Sequence, residues 1–441
     1  MMKMNFYSIY FPLVLQNIVT LSVNLADNIM LGAYSETALA GVAAVNQIQF
    51  VYQQLIMALG DGLVIFGSQY WGKGQVQPIK KIAASAMYGA VAFAAVLLAL
   101  VSLFPRQAVG IFTTDSRIIG EGVAYLGIIR FTYLFFAVTQ LLLAAVRSTE
   151  TVKIASCLSV LTFCVNCGMN YMLIFGHFGA PQLGVQGAAI GTLLARMTES
   201  AALIFYIAKR ERKLKIRCRD FLQFDRKLSE KYYRLTAPML VVQGLWGLNT
   251  ALQTVILGHM TAAAIAANSA ASTLFLMVKS ASVGAASAAA VIIGKAIGTG
   301  DLAKVREYSG RLQKRFIVIG VLSGVSLYFL RIPVLGLYDL SPETMEMANT
   351  FLIILSVICV GMSYQMPTNN GIIRGGGNAL FVVKMDLISI WGIVLPLSFV
   401  MAFVVKASPA VVVCCLNADQ IFKCIPAYLE SHYGNWVRRL V

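Results

Sequence analysis

Charge is scarce in this chain. Of its 441 residues only 12% are Asp, Glu, Lys or Arg, against about 25% in a soluble protein. Hydrophobic residues make up 58%, and the mean hydropathy is +0.75. No soluble globule of this length could bury so much apolar surface, so lipid must serve as the solvent. Histidine is nearly absent. His177, His259 and His432 all fall near the ends of apolar runs and form no metal-ligand or His–Asp pattern, which argues against a membrane-embedded enzyme.

Cysteine is modest in number and points to no chemistry. The eight fall mainly within apolar stretches, where Cys behaves as a small hydrophobe. Cys164 and Cys167 form a C-x-x-C with no second pair and no His nearby, which counts against a metal or redox site. A cleavable leader is not expected either. Residues 1–10 hold one Lys, no small-residue cleavage site follows, and the first apolar stretch is too long and polar-studded for a signal core. The phosphate-binding look of "GSQYWGKG" (67–74) fails on its last residue. Gly74 stands where a P-loop needs Ser or Thr for Mg²⁺, and the segment ends an apolar run instead of following a strand. These glycines better suit a tight cytoplasmic turn.

What is present is a succession of apolar runs, each near the roughly 20 residues that cross a bilayer core. They lie at 9–33, 39–71, 80–104, 118–147, 151–176 and 185–208, then at 232–258, 263–295, 303–330, 344–373, 379–403 and 407–429. The twelfth is the weakest, interrupted by Asn417, Asp419, Gln420 and Lys423. The expected fold is an all-α integral membrane protein of about twelve transmembrane helices.

The net charge of +16 could suggest a nucleic-acid binder, but its position says otherwise. Lys73, Lys80, Lys81, Arg147, Lys153, the basic 209–234 stretch and Lys304 to Arg315 follow even-numbered spans, while the connections at 34–37, 177–184 and 259–262 carry no Lys or Arg. The positive-inside rule then puts both termini in the cytoplasm, with Arg438 and Arg439 on that side. Arg106, Arg117 and Arg331 run against the pattern without outweighing it.

The chain repeats itself. Pro12 and Pro238 are 226 residues apart. At that offset "IMLG" (29–32) meets "VILG" (255–258), "SETALA" (35–40) meets "TAAAIA" (261–266), and Gly72 and Gly74 meet Gly298 and Gly300; Arg147 and Arg374 are 227 apart. The expected domains are a six-helix N-terminal lobe at 1–208, a basic cytoplasmic linker at 209–231 and a six-helix C-terminal lobe at 232–441. Each half has an even number of spans, so both enter from the same side. Parallel repeats of this kind place a ligand site between the halves, exposed alternately as one rocks against the other.

The first span carries a polar stripe, Asn17, Thr20, Asn24 and Asp27, spaced to share one helix face. A carboxylate facing lipid costs about 2.5–3.5 kcal/mol on insertion scales, so this face should look into protein or a wet cavity. Asp27 could merely bond a neighbouring helix, but intramembrane carboxylates are functional by default. Low-dielectric surroundings make proton exchange near neutral pH feasible for a carboxyl. The repeat turns the stripe into Gln243, Trp246, Thr250 and Gln253, so only the N-terminal half can titrate there. Asn166 and Asn170, one turn apart on span five, could line a cation site or simply bridge helices. Asn46, Gln49 and Gln53 share a face of span two, and Lys279 occupies the repeat position of Gln53. A central Lys needs a counter-charge or a cavity, and it could contact substrate. Arg130, Asp61 and Asp386 are further embedded charges; Arg196 and Glu199, three apart, suit a structural pair.

With those residues in place, the chain resembles the multidrug and toxic compound extrusion (MATE) family over essentially its whole length. The resemblance rests on "LADNIMLGAYSETALAGVA" (25–43), "GSQYWGKG" (67–74), "LIFGHFGAPQLGVQGAAIGT" (173–192), "VIIGKAIGTGD" (291–301) and "IIRGGGN" (372–378), in that order on a six-plus-six repeat. It implies a V-shaped pair of pseudo-two-fold related lobes and export of organic compounds in exchange for Na⁺ or H⁺. Asp27 matches the family's first-helix acid, which takes part in cation coupling, and a Na⁺ could sit near it. Asn166 and Asn170 match the polar pair of helix five, but Asn170 stands where archaeal-type proton-coupled members have Asp. Spans seven and ten offer no carboxylate matching the acids of the sodium-coupled branch. Coupling should therefore rest on Asp27, and Lys279 cautions against purely cationic substrates. The expected protein needs no cofactor beyond its coupling cation, binds no nucleic acid, and works as a monomer among the lipids of a prokaryotic inner membrane. The competing expectation, a flippase for lipid-linked precursors in the same superfamily, usually goes with about fourteen spans and a more cationic cavity.

Overall fold

The computed structural model describes residues 6–258, 260, 262–336 and 341–440. Among these residues the regular structure is helical, apart from one isolated antiparallel bridge between Gly377 and Val437. His259 lies outside the described residues.

The first half begins with α1 (Phe6–Tyr34), α2 (Glu36–Gly72), α3 (Gln77–Leu103) and the short α4 (Pro105–Gly110). It continues with α5 (Ser116–Ile129), α6 (Thr132–Ser148), α7 (Lys153–Phe175) and α8 (Val185–Lys209). The second half opens with α9 (Arg226–Gly258), α10 (Ala262–Gly298), α11 (Leu302–Leu335) and α12 (Pro342–Met366). It closes with α13 (Ala379–Asp386), α14 (Leu395–Phe399), α15 (Pro409–Leu416), α16 (Asp419–Phe422) and α17 (Cys424–Tyr433). Ten helical stretches among the described residues are long and apolar enough to cross a bilayer, and the pair α5 and α6 would make an eleventh. Helix α9, in the place of span seven, has the length at 33 residues, but its opening turns carry Arg226, Lys227, Glu230, Lys231 and Arg234.

Four spans depart from the continuous helices expected. The span expected at 118–147 is broken into α5 and α6, bent by 52°. At the break the Thr132 hydroxyl donates to the Ile129 carbonyl at 2.6 Å, a local bond that competes with the helical ladder. Helix α12 runs on through a π-helical stretch at Pro367–Ile373, where Pro367 has no N–H to offer the regular ladder. Two more π stretches, Leu387–Val394 and Val400–Val404, flank α14 and its Pro396. Span twelve is the three pieces α15, α16 and α17. Asn417 ends the first of them by returning its side-chain amide to the Val413 carbonyl at 3.0 Å.

The chain divides into two compact units that are not contiguous in sequence. One comprises Leu15–Gly67 and Gln75–Thr236. Within it α3 packs on α6, α7 on α8, and both α5 and α6 on α8. The basic stretch anticipated as a linker folds onto this unit. Backbone N–H groups of Lys213, Leu214 and Lys215 donate to the Glu211 carboxylate at 2.7–3.0 Å. Lys80 of α3 pairs with Asp220 at 2.8 Å and donates to the Lys215 carbonyl at 2.9 Å. The Tyr88 hydroxyl donates to the Phe221 carbonyl at 2.5 Å.

The other unit comprises Met1–Val14, Ser68–Gly74 and Ala237–Val441. Helix α10 lies at its centre, packed on α11 and α12. Its run "ASVGAASAAAVIIGKAIG" is rich in the small residues that let membrane helices approach closely. The C-terminal tail closes over this unit. Trp436 is 1% exposed and donates from Nε1 to the Ser431 carbonyl at 2.9 Å. The buried Gln69 side chain brackets the tail, donating to the Arg438 carbonyl at 3.2 Å and accepting from the Leu440 N–H at 3.0 Å.

Candidate functional site

In the first unit the three residues marked by the sequence for cation coupling meet. Asn166 and Asn170 are a turn apart on α7 and fully buried, at 1% and 0% exposure. The Asn170 amide donates to Asp27 Oδ1 at 2.5 Å and to Asn166 Oδ1 at 3.3 Å. Asn166 in turn donates to Thr192 Oγ1 of α8 at 3.1 Å. Asp27 itself is half-buried on α1. This chain of amides fixes one carboxylate oxygen from the protein side. Among the described residues, the buried Asn170 Oδ1 has no hydrogen-bond partner. A carboxylate beside an unused amide oxygen is a donor set suited to a proton or a hard monovalent cation, which takes oxygen ligands.

The neighbouring helix is shaped to this arrangement. A side chain at position 191 would overlap Asn170 Oδ1, so Gly191 is what lets α8 come so near α7. One turn further along α8, the Arg196 guanidinium donates to Glu199 at 2.8 Å and lies 5.4 Å from the centre of the Phe136 ring. The structural pairing expected of Arg196 and Glu199 is present, and it leaves Asp27 as the acid bonded to the amide chain.

The rest of the first-span stripe is not drawn in. Thr20 and Asn24 are exposed and Asn17 half-buried, and the Thr20 hydroxyl turns back to the Gln16 carbonyl of its own helix at 2.8 Å. Asn46, Gln49 and Gln53 of α2 are half-buried and make no bond to the Asp27 cluster.

In the second unit Gln243, Trp246 and Gln253 are half-buried along α9, and Gln253 reaches Asn249 at 3.5 Å. The Lys279 ammonium of α10 sits 5.4 Å from the centre of the Trp246 ring, within cation–π range. Sequence reasoning did not assemble the charged cluster nearby. Lys423, with its side chain 4% exposed, bridges Asp386 at 2.8 Å and Asp419 at 2.9 Å. Gln420 donates to Asp419 at 2.9 Å and accepts from Gln365 at 2.8 Å, and Gln365 accepts from Asn369 at 3.0 Å. Its sequence signals were the embedded charge of Asp386 and the Asp419/Lys423 spacing of four in an apolar run, which marks a pair on one helix face.

Comparison with known proteins joins these observations. The family model described as MatE matches residues 12–172 and again 238–400, one copy in each half. The chain is 24% identical over 432 residues to "Probable multidrug resistance protein NorM" of Thermotoga maritima, covering 98% of this chain and 92% of that one. It is 22% identical to "Uncharacterized transporter YisQ" of Bacillus subtilis, over 98% and 95% of the two chains. Among solved structures, the Vibrio cholerae MATE transporter VcmN in its bent form superposes with a TM-score of 0.86 at 17% identity, covering 97% of this chain and 96% of that one. The doubled match over most of the chain agrees with the repeat read from its residues, and this integral membrane protein belongs to the MatE, or multidrug and toxic compound extrusion, family.

Proposed function

We propose that this protein is a secondary active antiporter, exporting organic compounds in exchange for H⁺ or Na⁺ by alternating access, with Asp27 as the group that takes the coupling cation. The observation that carries this reading is the bond from the Asn170 amide to Asp27, which holds an intramembrane acid beside the orphaned Asn170 oxygen. The names of the relatives support drug export as the direction of transport.

In this scheme the empty carboxylate is held by Asn170, and a cation arriving at Asp27 cancels a charge that is costly at membrane depth. The two forms therefore favour different surroundings, which is what a coupled carrier needs of its ion site. No covalent step is involved. The repeat and the placement of basic loops support a prokaryotic inner-membrane location with both termini cytoplasmic. We take the working form to be a monomer.

The test is transport in proteoliposomes under Na⁺ and H⁺ gradients imposed separately, with the native chain and with Asp27→Asn. We expect one gradient to drive uptake or release of an organic solute and Asp27→Asn to abolish that dependence. Gradient-driven flux undiminished in Asp27→Asn would remove Asp27 from the scheme. A native protein that moves no organic solute under either gradient would end the antiporter reading.

A further inference from the structure

We propose that the second unit holds an anion-accepting subsite built on Lys279 and Trp246, and that it admits organic acids, carboxylates or sulfonates with an apolar body. This rests on the transport reading above and adds a substrate class to it.

Lys279 lies near the middle of a 37-residue helix, where an ammonium needs a partner or water. Yet among the described residues none of its three N–H donors meets an acceptor and no carboxylate stands within ion-pair distance. Asp419 and Lys423 are the charged groups that it senses. Asp419, however, is already engaged by Lys423 and Gln420, both at 2.9 Å, and the second carboxylate, Asp386, is held by Lys423 at 2.8 Å. The local carboxylates are spoken for by another lysine. Lys279 is half-buried and not sealed off, so a guest that enters beside Trp246 can reach it.

Its surroundings suit the apolar part of such a guest. Trp246 presents its ring on one side. Leu276, one turn earlier on the same face of α10, is 43% exposed. Gln243, one turn from Trp246 on α9, is half-buried and adds an amide. An incoming carboxylate or sulfonate would gain a charge-assisted hydrogen bond from the ammonium. A cationic guest would meet like charge there, and like charges brought together reject a wrong partner.

The experiment uses the full chain in proteoliposomes with carboxyfluorescein as the anion and ethidium as the cation, under the gradient that drives transport. Native protein should move carboxyfluorescein. Lys279→Gln should lower the ratio of anion to cation flux by about tenfold or more, the loss of roughly one charge-assisted contact, and Lys279→Arg should restore most of that ratio because it keeps the charge. The proposal is overturned if native protein moves ethidium alone, if Lys279→Gln leaves the ratio unchanged, or if it lowers both fluxes equally. These outcomes leave the antiporter reading standing, because ethidium or carboxyfluorescein still moves in the native protein. If neither dye moves under either gradient, both readings fall together.

Discussion

Gly72 and Gly298, 226 residues apart in the chain, meet back to back: a Cβ on either would stand 2.8 Å from the other's Cα. The contact is reciprocal. A Cβ at Gly72 would overlap the Lys295 carbonyl and one at Gly298 the Gln69 carbonyl, and Lys295 and Gln69 are again repeat partners. A Cβ at Gly294 would overlap the hydroxyl of Ser68, its own repeat partner. Segments 68–72 and 294–298 thus pack as a local two-fold pair, self-complementary like the contact of a symmetric dimer.

That geometry makes both glycines intolerant of bulk. Gly72→Val and Gly298→Val should each destabilise the protein by about 1–3 kcal/mol through overpacking. The measure is the melting temperature in detergent, followed by size-exclusion chromatography. An unshifted melting temperature in both variants would contradict the close approach.

The amide chain at Asp27 yields a paired prediction. Asn170→Ala removes the donor to Asp27, a hydrogen bond to a charged group worth about 1.5–3 kcal/mol. It should therefore change the half-saturating concentration of the coupling cation by about tenfold or more. Gly191→Ala touches no charge, but its methyl would occupy the space of Asn170 Oδ1. Its transport should follow that of Asn170→Ala; native ion dependence in Gly191→Ala would count against this packing.

The Lys423 triad should show strong non-additivity. Lys423→Met leaves the half-buried Asp386 and the buried Asp419 without their cation, and breaking a buried pair costs about 3–5 kcal/mol. Adding Asp386→Asn and Asp419→Asn to that variant should recover much of the loss, since no buried charge is then stranded. Thermal unfolding of the single and triple variants decides it. Equal stability in both would argue against the bridge.

The polar segment at 211–225 should respond to acid. Burial opposes the charge of Asp220, but the bonds from Lys80 and from the Arg217 N–H outweigh it and hold its carboxyl below the ordinary range. With the folded value depressed, the stabilisation is complete above the unfolded value of about 3.9 and disappears as pH falls through the folded one. Protease cleavage between Glu211 and Asp225 should be flat across neutral pH and rise only on strong acidification. Asp220→Asn should be cleaved readily throughout. A native chain that loosens already near neutral pH would contradict the pairing.

Much of the architecture was legible before any coordinates. Apolar runs marked the helices because hydropathy is a local property, and the 226-residue offset showed the duplication because insertions have not blurred its register. Asp27, Asn166 and Asn170 stood out for a similarly local reason, as polar groups in apolar runs. The bend between α5 and α6 was hidden, since "IIRFTYLF" holds no Pro or Gly to mark a break. Asp386 was recognised as an embedded charge, but its partner Lys423, 37 positions on, was noted only as a flaw in a weak span.

What the amino-acid order determined by itself was the solvent, the helices, the repeat and the kinds of chemistry available, because composition and periodicity act over a few turns of chain. Only tertiary structure decided which polar groups share a neighbourhood. It joined Asn170 to Asp27 across 143 residues, gave Asp419 to Lys423 and left Lys279 with no carboxylate among the described residues. Such pairings depend on how helices are set against each other, and at membrane depth a buried charge is governed by the groups that reach it.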